Sequence, residues 1–283
     1  MHIQWYPGHM TKTKRMMQEN ISLVDVVIEL LDARIPYSSK NPDIDTLANN
    51  KHRIIVLNKA DLADKELNKQ WEEYFINKGF RVIQTNSQKG QGVNEIVNIA
   101  REQMAEKIQR LKARGRIFVP IRAMIVGIPN VGKSTLINRY VKKNITKTGD
   151  RPGVTKSKQW VKIKKDFELL DTPGILWPKF EDQEVGKKLA LTGAINDSIL
   201  DINELAHELI KNLLDINPTA ISKRYDIPLN SNDPNEIIYN IAEKRGFKAK
   251  GNEIDIDRAS IIILDEFRGG LLGKITLERP NNE

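Results

Sequence analysis

With 283 residues, 40% hydrophobic side chains and a mean hydropathy of −0.46, the chain suits one large domain or two modest ones and excludes a disordered or membrane-embedded class. The absence of cysteine excludes disulfides and thiolate metal sites, and fits a cytoplasmic address. Its net charge of +8 hides a division: residues 1–180 hold 32 Lys and Arg against 18 Asp and Glu, and residues 181–283 hold 13 against 19.

The N-terminal segment 1–20, MHIQWYPGHMTKTKRMMQEN, lacks the apolar centre of a signal peptide. No later apolar run approaches the roughly 18 residues of a membrane span, so no membrane partner is expected. Strands are predicted over Val24–Leu31 and Arg53–Asn58, the second ending in Asn58-Lys59-Ala60-Asp61. At a strand tip, the Asp61 carboxylate suits the ring N–H and exocyclic amine of guanine, and would reject adenine. Asn58 and the Lys59 stem would brace that loop and cover the base. A helix over Asp64–Lys78 and a strand over Arg81–Thr85 follow, with Thr85-Asn86-Ser87 placed to offer a backbone N–H to the guanine carbonyl. Asn86 and Ser87 are therefore candidate nucleotide contacts.

A long helix is predicted over Val93–Arg114. It begins a basic stretch, Arg101–Arg122, with seven basic and two acidic residues; Lys142–Asp166 holds nine and two. Such stretches are solvated surface or a polyanion-binding face. The strand Ala123–Gly127 runs into GIPNVGKS, which fits G-x-x-x-x-G-K-[ST], and a helix over Lys133–Lys143. This strand–loop–helix context turns backbone N–H groups and a helix N-terminus toward phosphates. Gly127, Asn130, Val131, Gly132, Lys133, Ser134 and Thr135 are the candidate contacts; Lys133 would reach the β- and γ-phosphates and Ser134 would ligate Mg²⁺.

Two strands, Lys158–Lys164 and Phe167–Asp171, are separated by Lys165-Asp166, so they must pair antiparallel. Before them, Pro152-Gly153-Val154-Thr155 places Thr155 to close over Mg²⁺ and the γ-phosphate. After them, Asp171-Thr172-Pro173-Gly174 supplies an Asp for Mg²⁺ and a Gly amide to sense the γ-phosphate. Beyond Pro178, the runs EVGKKLALTGAI, INELAHELIKNLL, PNEIIYNIAEKRG and RASIIILDEFRGGLLGKI repeat apolar residues at helical spacing. The expected organisation is α/β: a six-stranded, mostly parallel sheet over 1–180, then an all-helical domain over 181–283.

These motifs resemble the GTPases of the translation-factor class with the blocks cyclically reordered: base-reading motifs first, then the phosphate loop, then the switches. YPGHM, DARIP, NKAD, GIPNVGKS, PGVT and DTPG with a helical tail closely resemble the ribosome biogenesis GTPase A family, circularly permuted GTPases of bacterial large-subunit assembly. The resemblance implies a circularly permuted Ras-like P-loop domain that binds GTP and GDP. It also implies an immature large ribosomal subunit and its ribosomal RNA as partners, with ribosomal proteins as further candidates, and hydrolysis stimulated there. A GTP-sensing module that recruits a protein partner is the other reading; NKAD disfavours an ATP-dependent nucleotide kinase.

Ile175 follows Gly174 where many small GTPases carry a Gln that orients the attacking water. His9 on a glycine hinge, a K⁺ ion held by Asn130, and Arg151 or a ribosomal group are the candidate substitutes. Water positioned by His9 on the ribosome, with K⁺ helping, is the favoured expectation. Thr155, Gly174 and Lys133 complete the expected catalytic set, and Ser134, Thr155 and Asp171 are the expected Mg²⁺ ligands.

Overall fold

The computed structural model describes residues 8–48, 50–144, 160–170, 176 and 182–280, with backbone alone for residues 8–10, 12–14 and 142–144. In chain order these form α1 (Gly8–Ile21), β1 (Val26–Asp32), α2 (Pro42–Leu47), β2 (His52–Asn58), α3 (Lys65–Asn77), β3 (Arg81–Thr85) and α4 (Val93–Ala113). Next come β4 (Ile121–Gly127), α5 (Lys133–Asn144), β5 (Trp160–Lys164) and β6 (Phe167–Leu170). The helical tail holds α6 (Gln183–Leu191), α7 (Ile202–Ile216), α8 (Pro218–Tyr225), α9 (Pro234–Lys244) and α10 (Ile256–Arg268).

Six strands make one sheet in the order β3-β2-β1-β4-β6-β5, parallel except for β5, which pairs antiparallel with β6. The expected parallel sheet with one hairpin is thus present. Strand β1, VVIELLD, is buried throughout because helices cover both faces of the sheet. On one face, Ile28, Leu30, Val56 and Ile125 pack with Val97 and Ala100 of α4 and Ile137 of α5. On the other, Val27 and Val126 pack beneath Met17 of α1, while Leu31 and Leu57 meet Trp71 and Phe75 of α3. Each such buried side chain contributes about 1.5–3 kcal/mol.

Helices α1 and α2 were not expected. The first is largely polar and buries Met17, so its periodicity is faint; the second is a single capped turn and a half, with Asn41 Oδ1 accepting from Asp43 N at 2.9 Å. In the tail, α7 buries Leu205, Ala206, Leu209, Ile210 and Leu213 along one stripe, against which α9 and α10 pack. Asp182, Asp201, Asp233 and Asp255 cap α6, α7, α9 and α10. Helix α8, begun by Pro218, falls between two of the predicted helical runs.

One expectation is corrected. The RASIIILDEFRGGLLGKI run was read as helical to its end, but α10 stops at Arg268. Gly270 takes φ +76°, Leu271 N donates to Glu266 O at 2.8 Å, and the chain leaves the helix. Residues 271–280 instead return to the sheet as a strap. Ile275 N donates to Leu62 O (3.0 Å) and Leu277 N to Arg34 O (2.8 Å), so alternate strap amides bridge the loops after β2 and β1. Asp64 N donates to Thr276 Oγ1 (3.0 Å), and Trp71 Nε1 to Glu278 O (3.2 Å). The buried Glu278 carboxylate accepts from Tyr37 N (2.8 Å) and from the Ser38 amide and hydroxyl, beside Lys188.

Candidate functional site

The GIPNVGKS loop joins the C-terminal end of β4 to α5, at the sheet edge where open α/β sheets take ligands. Lys133 folds back over its own loop: its buried ammonium donates to Gly127 O at 2.9 Å and Ile128 O at 2.8 Å. These two bonds pin the lysine head against the backbone of the loop itself. Ser134 and Thr135 are exposed on the first turn of α5, at the helix end whose dipole favours anions.

Asn58 ties this cradle to the base-reading loop. Its Nδ2 donates to Val131 O at 2.8 Å, across 73 positions of sequence. Its Oδ1 accepts from Thr85 Oγ1 (2.9 Å), Ser87 Oγ (2.7 Å) and Ser87 N (3.2 Å). A side chain expected to brace one loop thus holds three segments. Asp61 lies one turn on, half-buried, and its carboxylate has no hydrogen-bond donor among the described residues. That leaves both oxygens available to a ligand with paired N–H donors. Asn86 and Ser87 stand beside it as expected, but their amides donate to Gln91 O (3.1 Å) and Asn58 Oδ1. Thr85, named only as part of the triplet offering a backbone N–H, anchors Asn58 through its hydroxyl together with that of Ser87.

Lys59 adopts φ +60° and sends its ammonium to Asp32 Oδ2 at 2.9 Å. Asp32, the last residue of β1, also receives Arg34 Nε (2.9 Å) and Nη2 (2.8 Å) in a two-pronged pair. Burial pushes the Asp32 carboxyl up, but the adjoining Arg34 and Lys59 charges outweigh it and hold the group well below the usual carboxylate range. Sequence reasoning assigned no role to Asp32 or Arg34. The signal was the DARIP quintet itself, with opposite charges at the tip of an otherwise apolar strand.

Of the three residues expected at Mg²⁺, Ser134 alone is described; its exposed hydroxyl is an oxygen donor of the kind Mg²⁺ prefers. Thr155, Asp171, Gly174 and Arg151 lie outside the described residues, and of His9 only the backbone, in α1, is described. Asn130 is held at φ +56°, and its Nδ2 donates to Gly193 O of the helical tail at 2.7 Å. Its Oδ1, the atom a K⁺ would require, has no donor among the described residues. The phosphate loop therefore touches the tail directly.

The basic stretch after Arg101 divides in two. Arg101, Lys107 and Arg122 pair with Asp166, Asp25 and Glu168. Arg110, Lys112, Arg114 and Arg116 are exposed without an ion-pair partner among the described residues, next to Ile117 and Phe118, which are 98% and 50% exposed. This patch adjoins the start of β4, at the opposite sheet edge from the phosphate loop. Most of the 142–166 stretch lies outside the described residues; Lys162, Lys164 and Lys165 are exposed on and beside the edge strand β5.

A family model described as RsgA GTPase matches residues 15–181, and one described as 50S ribosome-binding GTPase matches residues 122–241. A Bacillus cereus protein named ribosome biogenesis GTPase A is 52% identical over 280 residues, spanning 99% of this chain and 95% of its own. The GDP-bound structure of T. maritima YlqF superposes with a TM-score of 0.66 at 30% identity, over 94% of this chain and 99% of that one. The GNP-bound form superposes at 0.65 with 28% identity, over 96% and 100%.

Proposed function

Because the chain belongs to the ribosome biogenesis GTPase A family and is a GTPase, we propose that it binds a large ribosomal subunit precursor in its GTP form. Hydrolysis, stimulated there, then releases it as a cytoplasmic assembly factor. The observation that carries the nucleotide half of this reading is the Asn58 bridge, which joins NKAD to the phosphate loop as one site. Asp61 reads guanine, the Lys59 stem covers it, and Lys133 with the loop amides takes the β- and γ-phosphates. Ser134, Thr155 and Asp171 would hold Mg²⁺, whose charge would offset that of the phosphates during transfer. Water attacks the γ-phosphorus as the bond to the bridging oxygen breaks, giving GDP and phosphate. His9 orients that water and Gly174 senses the γ-phosphate; Asn130 would hold a K⁺ whose charge would assist.

The exposed Arg110–Arg116 cluster, flanked by Ile117 and Phe118, suits ribosomal RNA: cations for phosphates and an aromatic face for a base. It leaves the nucleotide edge free for catalysis. No helix among the described residues is long and apolar enough to cross a membrane. The two-part organisation, 1–180 and 181–283, lets switch movement near Gly174 act on the adjoining helices.

The test is hydrolysis with and without large subunits, in K⁺ and in Na⁺, with co-sedimentation in GTP and GDP. Stimulated turnover and GTP-dependent, salt-sensitive co-sedimentation are expected; co-sedimentation indifferent to both nucleotide and salt would instead favour a module recruiting a protein partner. His9→Ala should lower subunit-stimulated turnover by about 100-fold while GTP affinity stays within about twofold. Equal loss of binding and turnover would remove His9 from catalysis.

A further inference from the structure

We propose that Arg34 is a positioning residue for guanine-nucleotide binding, acting through Asp32 on Lys59 and tying the base site to the seat of the helical tail. The proposal rests on Lys59 as the side chain that covers the base. Arg34 is 1% exposed, and each nitrogen of its guanidinium has an assigned partner. Nε and Nη2 grip the two oxygens of Asp32, while Nη1 donates to Arg268 O at 3.3 Å, at the end of α10. The guanidinium also lies over the Phe267 ring, 5.4 Å from its centroid.

Asp32 Oδ2 is shared between Arg34 and Lys59, so the place of one cation sets the place of the other. Asp32 is also the register partner of Asn58, and Ala33 N donates to Asn58 O at 2.9 Å, which fixes the backbone on which Lys59 is mounted. Phe267, Arg34, Asp32 and Lys59 form a continuous chain of contacts from the helical tail to the nucleotide loop. A second path runs in parallel: Leu277 N holds Arg34 O, and Ile275 N holds Leu62 O, just past Asp61. The DARIP segment therefore receives the tail on one side and holds the base-reading lysine on the other.

The experiment is a double-mutant cycle on the full chain, reading the release rate of a fluorescent GDP. Lys59→Met alone should speed release; if it leaves release unchanged, the base-covering reading of Lys59 fails, and the proposal with it. Arg34→Met is expected to speed release about tenfold in the Lys59 background and to have no further effect beside Lys59→Met. Arg34→Lys, which keeps the charge but loses the fork, should restore only part of the loss. Phe267→Leu, outside the nucleotide site, should speed release about threefold in the Lys59 background and not beside Lys59→Met. Should Arg34→Met fail to fold, the cycle is read with Phe267→Leu. If Lys59→Met speeds release and the second substitution simply multiplies its effect, or if neither Arg34→Met nor Phe267→Leu alters release, the positioning role is overturned while the base-covering reading stands.

Discussion

Asp61→Asn is expected to lower GTP affinity by about 100- to 1,000-fold and to make XTP the better ligand. The Asp61 carboxylate has no donor of its own among the described residues, so its oxygens are available to the ring N–H and amine of guanine. An asparagine there presents one acceptor and one donor. Its N–H₂ would face a guanine donor but would suit the second carbonyl of xanthine. Charge-assisted hydrogen bonds contribute about 1.5–3 kcal/mol each, and a mismatched buried donor adds its own cost. Calorimetric titration with GTP and XTP reads both effects. Undiminished GTP affinity would remove Asp61 from the base site.

Gly132→Ala is expected to weaken nucleotide binding by about 100-fold and to lower folding stability by about 2–4 kcal/mol. Gly132 sits at φ +106°, where an L side chain is strained, and a Cβ there would lie 2.4 Å from Asn58 Nδ2. Relief requires Asn58 to withdraw from Val131 O, which opens the bridge between the two loops. The damage therefore reaches the base-reading side although the substitution is in the phosphate loop. Denaturant unfolding with a nucleotide titration measures both. A variant that binds and unfolds like the parent would mean that Asn58 does not hold the loops together.

The sheet was legible because its central strands are apolar on both faces and its strands are bounded by turns. β3 falls on its expected range, and β1, β2 and β4 shift by one or two residues at their ends. The site was legible as motifs, because backbone phosphate cradles and base-reading loops demand fixed residue types at fixed spacing. What lay beyond local reading was what each motif residue touches. Asn58 contacting Val131, Asn130 contacting Gly193 and Arg34 meeting Phe267 are all pairs distant in sequence. The strap failed differently: GLLGKI keeps an apolar rhythm compatible with a helix, and the sheet's loops, not its own spacing, set its course. Gly269-Gly270 was the one local cue that α10 ends there.

The strap also changes what the tail's position means for the nucleotide. Ile275 N holds Leu62 O, one residue past Asp61, and Leu277 N holds Arg34 O, beside the carboxylate that carries Lys59. The tail is thus fastened to the loops that present both base-reading side chains. A binding partner that shifts those fastenings is expected to change nucleotide affinity, and by thermodynamic reciprocity the nucleotide then changes the partner's affinity by the same factor.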